Sequence, residues 1–247
     1  MIHALRFSTL FLASIVPLSV SSAEPATPNL AERVQNFEQN RKLPPISDQD
    51  RGIMVKTQQD LTARLNDAGL KVGQKAPEFN LPNAFGKSIS LHQQLQTGPV
   101  VLVFYRGAWC PFCNLQLHAL QEILPQLAQQ HATLIAVTPQ RPDKSRAQLE
   151  KSKYTFEVLS DLDSSAMKAY RLYYEVPAEL NDVYARNFKF DLTDYNGAGR
   201  LVLPVPATYI IAQDGSISYA YVDVNYKKRS EPAEIIAALE KIKTAKR

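Results

Sequence analysis

Two kinds of apolar pattern alternate along the chain. Unbroken apolar runs lie at residues 99–105, centred on Val100-Val101-Leu102-Val103-Phe104, and at 133–137; runs of this kind predict strands buried on both faces. Elsewhere apolar residues recur with a helical period. Leu30, Val34 and Phe37 predict one helix; after a break at Pro44-Pro45, Met54, Leu61 and Leu65 predict a second amphipathic helix ending at Gly69. Leu117, Leu120, Ile123, Leu124 and Leu127 predict a helix after the first buried strand, with Pro125 kinking or breaking it. Residues 71–91 are loop-rich with a hairpin-like stretch, 144–151 read as helix, 156–159 as strand and 164–171 as helix. Residues 173–199 form a poorly patterned insertion, followed by a strand at 208–211, a turn at Asp214-Gly215, a strand at 217–224 and a terminal helix at 231–243. The order predicts an α/β fold with a central mixed sheet flanked by helices, its last strands forming a hairpin, behind a helical N-terminal extension.

Residues 1–23 stand apart from this pattern. A short start with His3 and Arg6, an apolar stretch at 7–20 and the small residues Ser21-Ser22-Ala23 predict a cleaved secretory signal peptide. The apolar run is interrupted by Ser8, Thr9, Ser14, Pro17 and Ser19, short of the ~20 apolar residues a spanning helix needs, so stable membrane insertion is not expected. The expected organisation is therefore 1–23 leader, 24–70 extension and 71–247 main domain, in the periplasm or secreted. Composition changes little: 45% hydrophobic residues suit a globular chain of 247 residues, and a net charge of +4, without a basic cluster of any size, argues against nucleic-acid binding.

The cysteine count does change it. There are two, Cys110 and Cys113, in the segment Cys-Pro-Phe-Cys, where the buried strand gives way to a helix. Pro111 suits the first helical position, placing Cys110 near the N-cap and Cys113 in the first turn, where unpaired N–H groups and the helix dipole favour a thiolate. A purely structural cross-link would close a tiny loop worth only roughly 2 kcal/mol. A zinc site would need two further ligands, and His92, His118 and His131 have no ligand spacing with the pair. Redox chemistry is the expected use, in a compartment that permits disulfides and with no metal or organic cofactor.

Residues 72–81 (Val-Gly-Gln-Lys-Ala-Pro-Glu-Phe-Asn-Leu), 86–91 (Gly-Lys-Ser-Ile-Ser-Leu) and 100–105 resemble the opening of the alkyl hydroperoxide reductase and thiol-specific antioxidant group. The segment 104–117, Phe-Tyr-Arg-Gly-Ala-Trp-Cys-Pro-Phe-Cys-Asn-Leu-Gln-Leu, is similar to a peroxiredoxin-like branch with a thioredoxin-style CxxC. The resemblance implies a thioredoxin-like fold and a thiol-dependent peroxidase acting on hydrogen peroxide or alkyl hydroperoxides, regenerated by an external dithiol such as a thioredoxin-like protein. It places the peroxidatic cysteine after seven intervening residues beyond Tyr105, at Cys113, and puts Cys110 where such proteins carry a threonine. The family arginine that polarises the peroxide is replaced by Pro206, which resembles the cis-proline of thioredoxins. Thioredoxin logic would instead make Cys110 the attacking thiol of a thiol-disulfide oxidoreductase, with Pro206 positioning the substrate strand. Which sulfur attacks is left open by the sequence.

Among the neighbours, Arg106 is a candidate for stabilising a thiolate or leaving hydroxide, or else a solvated loop arginine. Trp109 either shields the thiol or simply packs. His118 is turned roughly 140° from Cys113 and is not expected to be a base. Arg200 is a weaker candidate for the missing arginine, and Lys227-Lys228-Arg229 reads as a solvated turn. A non-catalytic copper-binding protein is the remaining class, two thiolates and a histidine being its natural ligands.

Overall fold

The computed structural model describes residues 27–245, so the leader-like segment 1–23 lies outside the described residues. The extension is two helices, α1 (Leu30–Asn40) and α2 (Asp48–Arg64), with Pro44-Pro45 in the link between them. Asn29 caps the first by accepting from the Glu32 N–H, and Ser47 caps the second by accepting from the Asp50 N–H. α2 is less amphipathic than its spacing predicts. It buries Leu61 but leaves Met54 half-buried, and its other buried residue is the acidic Asp50.

Next come the hairpin strands β1 (Asn80–Pro82) and β2 (Ser88–Ser90), turned around Asn83, whose side-chain oxygen accepts from the Phe85 and Lys87 N–H groups. A short helix α3 (Leu91–Leu95) leads to β3 (Val100–Phe104), buried at every position as its unbroken apolar run predicts. The following helix is broken at the proline, into α4 (Pro111–Glu122) and α5 (Leu124–Gln129), with Ile123 capping both. Then follow β4 (Thr133–Thr138), α6 (Pro142–Ser152), β5 (Glu157–Ser160) and α7 (Ser165–Ala169).

The segment expected to lack pattern is ordered into β6 (Tyr173–Glu175), α8 (Ala178–Phe188) and α9 (Leu192–Asn196). Val176, Leu180, Val183, Tyr184 and Leu192 pack there with Leu203, a small core separate from the two on the main sheet. Its apolar positions are too few and too spread by polar residues to announce themselves one segment at a time; they become a core only once β6 pairs with β7 (Val202–Pro204). The chain closes with β8 (Ala207–Ile211), β9 (Ile217–Val222) and α10 (Pro232–Ala245).

The main sheet runs β5-β4-β3-β8-β9, with β3 parallel to β4 and antiparallel to β8, which is the mixed α/β architecture and terminal hairpin the pattern predicts. Period-2 alternation divides β3 between two cores. Val100, Leu102 and Phe104 pack with Phe79, Leu91, Tyr170 and Tyr209 on one face. Val101 and Val103, with Tyr105 beyond them, pack on the other with Cys113, Leu117, Leu120 and Ile235. Truncating one such fully buried aliphatic residue to alanine costs about 2–5 kcal/mol.

α1 lies across α4 and is held at both ends. At its start the Leu30 and Ala31 N–H groups donate to the carboxylate of Glu231 at 2.9 and 2.7 Å, which supplies the negative charge a helix N-terminus favours. Toward its end Phe37 meets Phe112 edge-on at 5.5 Å. Glu231→Ala is therefore expected to lower the urea midpoint by an amount equivalent to about 1–2 kcal/mol and to speed protease cleavage in residues 41–47. Unchanged cleavage and midpoint would show that α1 is held by its apolar contacts alone.

Candidate active site

β3 delivers the chain to the site and α4 receives it. Cys110 is the N-cap of α4, Pro111 its first residue and Cys113 its third, so both sulfurs sit within the first turn, as the position of the proline predicts. Both thiols are free and buried, Cys110 at 1% and Cys113 at 0% exposure, and their sulfurs are 2.8 Å apart. The pair forms a sulfur–sulfur hydrogen bond, not a disulfide.

Their surroundings drive the two thiols in opposite directions. Burial alone would raise Cys113, but the hydrogen bond with Cys110, the charges of Arg229 and Arg106, and the Arg106 backbone N–H together outweigh it and bring Cys113 down to about 5. Burial, then the hydrogen bond and charge of Cys113, push Cys110 well above the ordinary thiol range. The two sulfurs titrate as one hydrogen-bonded pair, and the charges around them favour the anion on Cys113.

Arg229 was not expected here. Of the Lys227-Lys228-Arg229 run only Lys228 is exposed; Lys227 is half-buried and paired with Glu38 of α1 at 2.6 Å. Arg229 is 8% exposed, and its Nη2 donates to Cys113 Sγ at 3.4 Å while its Nη1 donates to the Lys228 carbonyl at 2.8 Å. The turn after β9 folds back over α4, which turns one member of a basic run inward; nothing in the sequence distinguishes which. Arg106 is also buried, its guanidinium 4.3 Å from the Tyr226 ring centroid and 4.8 Å from that of Trp109, with Nη2 donating to the Tyr184 hydroxyl at 3.0 Å. The solvated-loop reading of Arg106 therefore fails.

The remaining expected neighbours are elsewhere or differently used. Arg200 donates to the Asp161 carbonyl and the Ser164 hydroxyl and does not face the sulfurs. His118 is exposed, edge-on to Tyr154, consistent with its turn away from Cys113. Pro206 is buried in the link between β7 and β8, but no peptide bond among the described residues is cis, so the thioredoxin-type cis-proline is absent. Its carbonyl is engaged within the fold, accepting from the Asp223 N–H at 3.5 Å, because β9 runs alongside it. Among the described residues no three of His, Cys, Asp or Glu converge as a metal site.

A buried polar ring fixes the loop that carries Arg106. The Tyr105 hydroxyl donates to Gln148, Gln148 donates to Asn114, Asn114 donates to the Ala108 carbonyl, and the Ala108 N–H donates to Gln140, which donates back to Tyr105. These residues come from the loop after β3, from α4, from the link between β4 and α6 and from α6 itself, far apart in sequence, so spacing gave no sign of them. Within the loop Gly107 adopts φ +150°, and a Cβ there would lie 2.5 Å from the Trp109 indole nitrogen; glycine lets the indole fold back over the loop. The Trp109 ring stacks on Phe190 at 4.4 Å and meets Tyr184 at 6.0 Å, so it packs against the 173–199 segment.

Comparison with known proteins places this geometry. Residues 72–220 match the model of the AhpC/TSA family. The chain is 25% identical to peroxiredoxin Bcp of Escherichia coli K12 over 154 residues, 62% of this chain and 86% of that protein. Among solved structures, peroxidoxin BcpB of Mycobacterium tuberculosis superposes with a TM-score of 0.56 at 19% identity, covering 70% of this chain and 98% of that one. Peroxiredoxin Q of Xanthomonas campestris gives 0.52 at 17% identity, covering 71% and 98%. These neighbours establish the thioredoxin-like peroxiredoxin fold. Arg229 and both helices of the extension lie outside the matched residues.

The charge balance at the sulfurs is testable directly. Arg229→Gln removes one of the two guanidinium charges and is expected to raise the Cys113 titration, followed by ultraviolet thiolate absorbance, by about one unit or more. Arg229→Lys is expected to recover part of the shift. A titration that stays near 5 in Arg229→Gln would mean that Arg106 and the Cys110 hydrogen bond suffice.

Proposed function

As a member of the AhpC/TSA family the chain is a thiol peroxidase, and we propose that it reduces hydrogen peroxide or alkyl hydroperoxides with Cys113 as the attacking sulfur and Cys110 as the resolving one. The observation that carries this assignment is the asymmetry of the pair: Cys113 Sγ accepts from the Arg229 guanidinium at 3.4 Å, and the charges around the pair favour the anion there over Cys110.

In the first step the Cys113 thiolate attacks one peroxide oxygen. The S–O bond forms as the O–O bond breaks, leaving a sulfenic acid, and the departing hydroxide or alkoxide takes up a proton to leave as water or alcohol. The guanidinium groups of Arg106 and Arg229 suit this step, since negative charge moves from sulfur to the leaving oxygen beside them. In the second step the Cys110 sulfur attacks the Cys113 sulfenic sulfur, the disulfide forms and water leaves. An external dithiol, of the kind a thioredoxin-like protein offers, then reduces the Cys110–Cys113 disulfide and is itself oxidised.

Burial favours this reading over disulfide exchange with a protein substrate. A peroxide is small enough to reach a sulfur with almost no exposed surface, whereas any protein partner, disulfide or dithiol, reaches it only after the residues around the pair move, so burial favours the small molecule for the oxidising step. The lack of a cis-proline removes the feature expected to receive a substrate strand. Two buried guanidinium groups beside the sulfurs oppose the binding of a copper ion, which would add positive charge next to them. The leader-like residues 1–23 support siting this activity outside the cytoplasm, where the pair works in an oxidising setting.

Stopped-flow oxidation of the reduced protein, read through the single Trp109, tests the assignment. Cys113→Ser is expected to abolish the rapid peroxide reaction. Cys110→Ser is expected to keep a rapid first oxidation and to stop at a sulfenic acid that dimedone traps. The wild-type rate is expected to hold level above neutral pH and to fall as pH drops through about 5, because the depressed Cys113 then gains its proton. Retention of the fast phase in Cys113→Ser would move the attack to Cys110. Peroxide no faster than with a free thiol, together with rapid exchange with a protein disulfide, would replace the peroxidase by an oxidoreductase.

A further inference from the structure

The 173–199 segment plays no part in the steps above, yet it reaches the site. Phe190, in the link between α8 and α9, packs against both Trp109 at 4.4 Å and Tyr184 at 5.0 Å, with interplanar angles of 19° and 28°, and those two rings are 6.0 Å from each other. Trp109 directly precedes Cys110 and Tyr184 binds Arg106 through its hydroxyl, so this stack is fastened to the two residues that flank the pair. Rings at these separations are in contact, and no substrate group fits between them. The segment is braced from behind by α2, where Asp50 accepts from Arg186 at 2.6 Å and from Asn187 at 2.8 Å. The result is an aromatic cover beside a sulfur pair that shows 1% and 0% of its surface.

We propose that this cover sets the size of the substrate, so that the protein favours hydrogen peroxide over bulky organic hydroperoxides, and that Phe190 is the residue that decides it. The inference rests on the peroxidase reading for its substrates, but not for the cover itself. A hydroperoxide with a branched or aromatic group has to separate the Phe190 ring from its neighbours before its O–O bond meets Cys113. Loss of two ring contacts in the transition state corresponds to a rate penalty of about tenfold or more.

Single-turnover rates of the reduced protein with hydrogen peroxide and with cumene hydroperoxide give the test. The wild-type ratio is expected to favour hydrogen peroxide by about tenfold or more, and Phe190→Ala to reduce that ratio by about fivefold or more. Phe190→Leu, which keeps an apolar group in the stack, is expected to fall between them and serves if the alanine variant does not fold. A wild-type ratio near unity, or the same ratio in wild type and both variants, would overturn the proposal. Should neither peroxide outpace its reaction with a free thiol, the peroxidase reading fails and the cover is judged separately. Thiol modification by methyl methanethiosulfonate is then compared with that by the bulky aromatic disulfide dithionitrobenzoate. A preference for the small reagent that collapses in Phe190→Ala sustains the size gate, and one that does not change rejects it.

Discussion

An anion inside a protein has to be compensated where it sits, and in this fold the sulfur surrounded by such compensation is that of Cys113. Removing a charged group from water carries a penalty of several kcal/mol unless partners are built around it, and a thiol in apolar surroundings would otherwise keep its proton. The partners here are a second thiol, two guanidinium groups and the backbone N–H of Arg106 in the loop before α4. Each needs its own support. Arg106 is itself buried and lies against the rings of Trp109 and Tyr226 and the hydroxyl of Tyr184; Arg229 is held by its own turn through the Lys228 carbonyl.

That chain of dependence explains why segments outside the family-matched residues 72–220 surround the site. Lys227, two residues before Arg229, pairs with Glu38 of α1, and Glu231, two residues after it, receives the N-terminal amides of the same helix. The extension thus clasps the turn that carries the arginine. On the other side, α2 braces α8 through Asp50, and α8 presents Tyr184 to Arg106. Both helices of an extension that the family match does not include therefore bear on the electrostatics of the sulfur pair, one through each arginine.

The same burial divides the catalytic cycle into two kinds of event. The oxidising half needs access only for a molecule the size of a peroxide. In the cycle proposed above, reduction of the disulfide by a dithiol protein requires the sulfurs to be reached by another sulfur, so cover residues have to move for it. The buried ring through Tyr105, Gln140, Gln148 and Asn114 holds the loop from behind, which leaves the surface-built aromatic cover as the side with fewer polar ties to break.

Local pattern was sufficient for most of the sheet and for the sulfurs. The unbroken run at 100–104 announced a doubly buried strand, Pro125 announced the break between α4 and α5, and Pro111 set Cys110 and Cys113 at the helix start, because each of these depends on near neighbours and backbone chemistry. The weak patterning of 173–199 hid a small core that exists only when β6 pairs with β7, and Pro206 stood where a cis bond was expected and none formed. Three similar cations at 227–229 had no local feature to tell the buried one from the solvated ones. The sequence by itself determined a reactive thiol pair at a strand-to-helix junction. Only the tertiary structure favoured one sulfur over the other, because that depends on the Arg229 guanidinium, brought in from a turn more than a hundred residues away along the chain to join Arg106, and on the burial of the pair.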